Sequence, residues 1–367
     1  METKRNLNIE ILRILGCLMV IGVHVKLPDL IDGSPVWIRL FFSCLFADGV
    51  SIFWLILGYF GFQAKISYGE RLKRMSRRIL LPLAVYTVFS FYFSRFLIDG
   101  KPLLESLSHS FADYRTMLTR CILRWQNRVD YGSHLWYLYI YVIVILLFPA
   151  LSGIWKLWQD NLKKSYIAFF TLIALLIVND YSYNELCDFS HHSFPGAIAA
   201  SIFVLLGSIY SQWHNLQPAL GSHKRNRRIL LGMLLFAGTL AFRVPWLYFS
   251  YWLGKGDEPV YWYTSFSVLQ TGGLFLIFTN LNLDAHLRKK PRRILLHLAR
   301  MTFPIYIIHM MVAGFFFQRN LTDYLENVTG NLTIDTAIYQ IGYMIAVFLV
   351  SMAISEVLIL IKHLLKK

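Results

Sequence analysis

The first apolar stretch of the chain, NLNIEILRILGCLMVIGVHV, carries three ionisable side chains, Glu10, Arg13 and His24. Each costs free energy inside a hydrocarbon layer, so each must point into a polar interior. Glu10 and Arg13 are three residues apart, the spacing of neighbours on a helix surface, and can pair. Arg13 and His24 are eleven apart, close to three turns at about 3.6 residues per turn. The three groups therefore share one helix stripe roughly 20 Å long. Such a stripe suits two kinds of chemistry. It can relay protons in a transporter, or it can present a histidine as general base to a hydroxyl nucleophile, since the imidazole pKa lies near neutral pH. Asp48 is a further acidic residue within an apolar block, and it calls for an arginine partner.

The elements that position these residues are read from the hydrophobic pattern. Of 367 residues, 56% are hydrophobic and 16% charged, against about a quarter charged in a soluble domain. The apolar residues fall in blocks of about 18–25, long enough to cross a bilayer as helices. Spanning helices satisfy their own backbone hydrogen bonds, and the alternating ten-residue segments of a β-barrel are not seen. Spans are expected at about 8–25, 37–62, 79–98, 134–155, 165–181, 194–212, 229–249, 260–280, 296–317 and 336–361. Arg243 and Pro245 interrupt the seventh. The expectation is an all-α polytopic membrane bundle of about ten helices, one integral-membrane domain over 1–367, with both termini inside. Glu10 and Arg13, with no small-residue cleavage site after the block, mark the first span as retained rather than as a signal.

The net charge of +15 invites a nucleic-acid reading. The basic residues instead lie beside apolar blocks, as the positive-inside rule requires, where they meet membrane lipids. With the N-terminus inside, the inner segments hold 23 of the 36 Lys and Arg. They include Lys4 and Arg5, the run from Lys65 to Arg78, Lys156 to Lys164, Lys224 to Arg228, Arg288 to Arg293, and Lys362 to Lys367. The longest connection, about 99–133, is outward; Arg120, Arg124 and Arg128 are four apart there, on one face of a helix. Cys17 and Cys44 are read as packing residues, and Cys121 and Cys187 as outward-loop residues able to pair. No metal-ligand spacing occurs, and the adjacent His191 and His192 read as a solvated loop. Three N-x-T sequons, at Asn320, Asn327 and Asn331, share one outward loop.

Five motifs in order resemble one family. The Glu10–Arg13–His24 spacing is similar to its opening signature, with Glu where Asp is commoner. GVSIFWLILGYF resembles its second-span stretch, departing at Leu57, where Ser often precedes the glycine, and at Trp54, which replaces Phe. RLKRMSRRILLP resembles its arginine run before a proline, through Arg74, Arg77, Arg78 and Pro82. HLWYL matches through His134 and Trp136, and FPIYIIHMM through Tyr306 and His309. The chain resembles the integral-membrane acyltransferase family 3, whose members O-acylate bacterial cell-surface sugars.

The resemblance implies transfer of an acyl group, acetyl in the simplest case, from cytoplasmic acyl-CoA to a hydroxyl of a cell-surface or lipid-linked polysaccharide, in the bacterial cytoplasmic membrane. His24, Arg13 and Glu10 would be catalytic, His24 either as the base that deprotonates the acceptor hydroxyl or as a transient carrier of the acyl group. Arg74, Arg77 and Arg78 would cradle the phosphates of coenzyme A, and His134, Trp136, Tyr306 and His309 would support the site or contact the sugar. Acyl-CoA enters as a donor substrate; no bound cofactor, metal or nucleic acid is implied. A transporter or flippase, for which inverted repeats would be expected, and a polysaccharide polymerase, which would need its key arginines outside, are the alternatives.

Overall fold

The computed structural model describes residues 6–108, 111–124, 131–186, 193–215, 222–254, 256, 264–281, 283, 287–320 and 328–364. Lys4, Arg5, Arg128, Cys187, His191, His192, Asn327, Lys366 and Lys367 lie outside these residues. The fold is all-α. Among the described residues the only strands are a two-residue hairpin, β1 Leu30–Ile31 with β2 Ser34–Pro35. Its turn places Asp32 and Gly33 at φ 48° and 77°.

Eight helices among the described residues are long and apolar enough to cross a membrane. A broken pair, Ser133–Leu146 with Phe148–Trp155, and a shorter apolar helix fall where the other two spans are expected. The protein is thus an integral membrane protein built from helices. Several helices run further than the hydropathy pattern suggests. The segment expected at 229–249 is helical over Ser222–Trp252, and that expected at 296–317 over Lys289–Gln318. The extensions are basic, and Lys and Arg are good helix formers whose long stems reach back toward apolar surface.

The chain forms two compact units. The first comprises Met1–Lys65 and Phe148–Thr302, the second Ile66–Leu147 and Phe303–Lys367. Within the first unit lie α1 (Leu7–His24), α2 (Trp37–Phe46) and α3 (Gly49–Gly61). A short helix (Phe148–Trp155) and two long ones (Leu162–Leu186 and Ser193–Asn215) follow, then Ser222–Trp252 and Thr264–Asn280. Asn6 caps α1, its side-chain oxygen accepting from the Asn8 and Ile9 amides. Two glycines set the closest crossing in this unit. A Cβ at Gly58 would lie 1.8 Å from the Val204 carbonyl oxygen, and one at Gly207 2.2 Å from that of Leu55. Only hydrogen at these positions lets the helices Gly49–Gly61 and Ser193–Asn215 touch backbone to backbone, the usual device where lipid gives no hydrophobic drive to association.

Asp48 and Arg243, the two charges that mark apolar blocks in the sequence, are partners. Arg243 Nη1 donates to Asp48 Oδ2 at 2.6 Å, and both side chains are 2% exposed. Ser267 donates to the other carboxylate oxygen at 2.5 Å. Arg243 also donates to Gln270 Oε1 at 2.9 Å, and Gln270 Nε2 donates to the Cys44 carbonyl at 3.1 Å. The last bond has a local cause. The expected second span breaks at Ala47–Asp48, and a helix end leaves carbonyls with no intrahelical acceptor role; Gln270 serves one of them. Cys17 and Cys44 are buried, as packing residues should be.

The second unit holds a helix that runs from Tyr68 to Leu97 through a π-helical turn, Ser76–Leu80. It also holds the helices Leu103–Ser106, Phe111–Arg124 and Trp136–Leu146, and the Leu332–Leu364 helix. The Lys289–Gln318 helix passes from the first unit to the second beside Pro304. Tyrosine hydroxyls tie this unit together: Tyr86 donates to the Tyr131 carbonyl at 2.9 Å and Tyr343 to that of Ala313 at 2.6 Å.

Removing one partner of the buried pair strands the other charge. Asp48→Ala should therefore destabilise the folded protein by about 3–5 kcal/mol, and the double variant Asp48→Leu/Arg243→Met should recover most of that loss. Thermal unfolding of detergent-solubilised protein followed by size exclusion measures it; a double variant no more stable than Asp48→Ala contradicts the pairing.

Candidate active site

The candidate residues fall in two groups, one in each unit. In the first, α1 runs unbroken from Leu7 to His24, so Glu10, Arg13 and His24 keep their common stripe. Arg13 Nη1 donates to Glu10 Oε2 at 3.1 Å. Their environments differ. Glu10 is buried, the Arg13 side chain is 26% exposed, and His24 is exposed. The carboxylate thus fixes the guanidinium from below and leaves part of it open, while the imidazole stands accessible on the last residue of the helix.

The chain just beyond His24 is held firmly. Asp29 is buried and accepts from Lys26 Nζ at 2.9 Å, Ser43 Oγ at 2.5 Å and Tyr251 Oη at 2.8 Å. Lys26 also donates to Ser43 Oγ at 2.9 Å. This four-residue knot links the segment after α1 to α2 and to the Ser222–Trp252 helix, and so fixes the position of the helix end that bears His24. The sequence reading missed it. The signal available was Lys26 and Asp29 at a three-residue spacing, which resembles an ordinary interfacial charge pair.

The second group is buried. His134 precedes the Trp136–Leu146 helix, in a short 3₁₀ turn, Ser133–Leu135. Its Nε2 lies 3.1 Å from the Ile307 carbonyl, and His309 Nδ1 lies 2.7 Å from the Tyr306 carbonyl. A carbonyl only accepts, so Nε2 carries the proton in neutral His134 and Nδ1 in neutral His309. The lone pairs are then on His134 Nδ1 and His309 Nε2. Tyr306 Oη donates to the His134 carbonyl at 2.5 Å, and the two imidazole rings meet edge to face at 4.6 Å. His134, Tyr306 and His309 therefore form one aromatic, hydrogen-bonded cluster. Trp136 is not part of it, being 41% exposed.

Arg74, Arg77 and Arg78 are all exposed on the Tyr68–Leu97 helix. Arg74 Nε donates to Glu70 at 2.9 Å, one turn away in a solvent-screened pair that is weak and readily exchanged. Arg77 and Arg78 lie in the π-helical turn. Such turns insert a residue and re-aim the side chains, and they recur at functional sites. No group of three or more metal-binding side chains occurs among the described residues.

A family model described as an acyltransferase domain matches residues 6–356, nearly the whole chain. The chain belongs to acyltransferase family 3. It is a membrane acyltransferase, and the match runs through both units. No curated protein and no solved structure matches. The acyltransferase thus carries its motif residues in two places: the graded Glu10–Arg13–His24 stripe of the first unit, and the histidine cluster with the arginine run of the second.

The Tyr306 hydroxyl is the simplest probe of the buried cluster. Tyr306→Phe should fold and insert, and should lose about 0.5–1.5 kcal/mol of stability with the one hydrogen bond to the His134 carbonyl. Thermal unfolding measures this; an unchanged midpoint would mean that the hydroxyl does not hold His134 in place.

Proposed function

We propose that this membrane acyltransferase moves an acetyl group from cytoplasmic acetyl-CoA to a hydroxyl of a cell-surface or lipid-linked polysaccharide, working in the bacterial cytoplasmic membrane. The reading rests on one observation above the others. A buried carboxylate pins a partly exposed guanidinium on the same helix that ends in an exposed histidine. Membership of an acyltransferase family supplies the reaction class.

In this reading the acceptor hydroxyl attacks the thioester carbonyl while His24 takes its proton. The tetrahedral oxyanion collapses, the C–S bond breaks, and the coenzyme A thiolate leaves and takes up a proton. Arg13, about 16 Å from His24 along the same helix, lines the path of the donor's pantetheine arm, and Glu10 positions it. Arg74, Arg77 and Arg78 hold the donor's phosphates, since guanidinium forks match phosphate oxygens bidentately. His134, Tyr306 and His309 are supporting residues, and Trp136 offers a flat face to the sugar.

The proposal separates donor binding from chemistry. Removing a charge-assisted hydrogen bond costs about 1.5–3 kcal/mol. Arg74→Ala or Arg77→Ala should raise the apparent KM for acetyl-CoA about ten- to a hundredfold with little change in kcat, and Arg→Lys should be milder. His24→Ala should lower kcat by about 10²-fold or more with normal expression, the typical contribution of a general base. Steady-state kinetics on purified protein test both. Unchanged donor affinity in the arginine variants would remove the cradle, and a His24→Ala variant keeping more than about a tenth of the rate would remove the base.

A further inference from the structure

A second polar site lies in the first unit, at the C-terminal ends of the helices Gly49–Gly61, Phe148–Trp155 and Ser193–Asn215. There the structure forms an open-mouthed cavity of about 260 Å³, just below the usual range for small-molecule pockets. None of the functional residues considered above lines it. In a protein whose helices are mostly apolar, its lining is unusually rich in neutral hydrogen-bonding groups. Four side-chain amides border it, those of Gln63, Gln159, Gln212 and Asn215, with the hydroxyls of Ser208 and Ser211. Ser208, Ser211 and Gln212 fall at i, i+3 and i+4 of one helix and so share a face.

Three observations restrict the ligand. The first is charge. The lining contains one carboxylate, Asp160, and, among the described residues, no Lys or Arg. A phosphate or carboxylate would meet repulsion there and no counter-charge. The second is an aromatic wall. Phe62 stacks between Phe148, at 4.7 Å, and Trp155, at 5.4 Å, with both interplanar angles 23°, and Phe62 and Trp155 both line the cavity. The third is an unmet hydrogen-bond acceptor. Gln212 is 7% exposed; its Nε2 donates to the Trp158 carbonyl at 3.0 Å, and its Oε1 has no hydrogen-bond partner. A buried amide oxygen left unmatched costs free energy that a donor from a ligand restores.

We propose that this cavity binds an uncharged sugar ring. Vicinal hydroxyls both donate and accept, which fits a lining of amides and hydroxyls in which Gln63, Gln159 and Gln212 each donate one N–H, to Ser211, Asp160 and the Trp158 carbonyl in turn. The weakly positive C–H face of a pyranose fits the negative face of the Trp155 indole, which Phe62, itself stacked between Phe148 and Trp155, holds in place. The sugar can be free or the headgroup of a lipid. The inference concerns binding alone, so it can stand or fall without the acyl-transfer reading.

Saturation-transfer NMR on the full chain, in a detergent without a sugar headgroup, provides the test. The probes are glucose, galactose and N-acetylglucosamine, a neutral alkyl glucoside, glucose 1-phosphate, and pantetheine. The neutral sugars should bind, and glucose 1-phosphate at least about tenfold more weakly. Trp155→Ala and Gln212→Ala should each weaken sugar binding about tenfold or more, while Trp155→Phe should retain most of it. Because Gln212 also bonds to the protein, Gln159→Trp at the exposed mouth serves as a second block and should abolish binding in a folded protein. Tighter binding of the alkyl glucoside than of free glucose, lost in the same variants, would identify a lipid-borne sugar and support the site. Sugar binding indifferent to Trp155→Ala, Gln212→Ala and Gln159→Trp, preference for the phosphorylated sugar, or no binding of any neutral sugar would each overturn it.

Discussion

Asp48 and Arg243 meet at 2.6 Å with both side chains almost fully buried, in a molecule most of whose helices face hydrocarbon. The constraint behind that contact governs the rest of the fold. A charge within a bilayer must bring its counter-charge with it, and the remaining lone pairs and N–H groups need partners as well. The network around this pair lies beside the break between α2 and α3. Ser267 takes the second carboxylate oxygen, and Gln270 joins Arg243 to the carbonyl of Cys44. A turn within a span, otherwise costly in lipid, is tolerated because side chains from the Ser222–Trp252 and Thr264–Asn280 helices serve it. Those two helices also approach at Gly232 and Gly273, where a Cβ on either would lie 2.6 Å from the other's carbonyl oxygen.

The same constraint, relaxed by degrees, distinguishes a closed ion pair from a partly accessible one. Asp48–Arg243 is closed to solvent, and chemistry has no access to it. Glu10–Arg13 is buried on the carboxylate side and open on the guanidinium side. An arginine held in this way keeps a fixed direction and leaves part of its guanidinium accessible. His24 completes the gradient at the exposed end of the helix, where the Asp29 knot limits movement of the chain that follows. The buried pair of histidines in the second unit is organised differently. Backbone carbonyls choose its tautomers, and a tyrosine hydroxyl holds one histidine's own carbonyl.

Much of this was legible in the sequence. The apolar blocks announced helices because lipid permits little else, and the Glu10–Arg13 pair followed from a three-residue spacing. Asp48 announced that it needed an arginine, and Arg243 stood out as a charge inside another span. Their partnership was not legible, since 195 residues separate them and only tertiary packing chooses among the arginines. The π-helical turn at Ser76–Leu80 was hidden because it leaves hydropathy unchanged. Helix ends were misplaced where basic residues continue a helix, as at Ser222 and Lys289, since a hydropathy pattern stops at the first charges while the backbone does not. The amide-lined cavity left a trace in Ser208, Ser211 and Gln212, three polar residues on one face of an apolar span, but Gln63, Trp155 and Gln159 come from other helices and loops.

The central claim is that an acyl group passes from coenzyme A through this protein to a sugar hydroxyl. Wild-type protein reconstituted in liposomes, given acetyl-CoA labelled in the acetyl group on one side and a surface polysaccharide acceptor on the other, tests it most directly. The account predicts label in ester linkage to the polysaccharide, released by mild base, together with an equal amount of free coenzyme A. Coenzyme A release without label on the polysaccharide, or label remaining wholly on the donor, would contradict it.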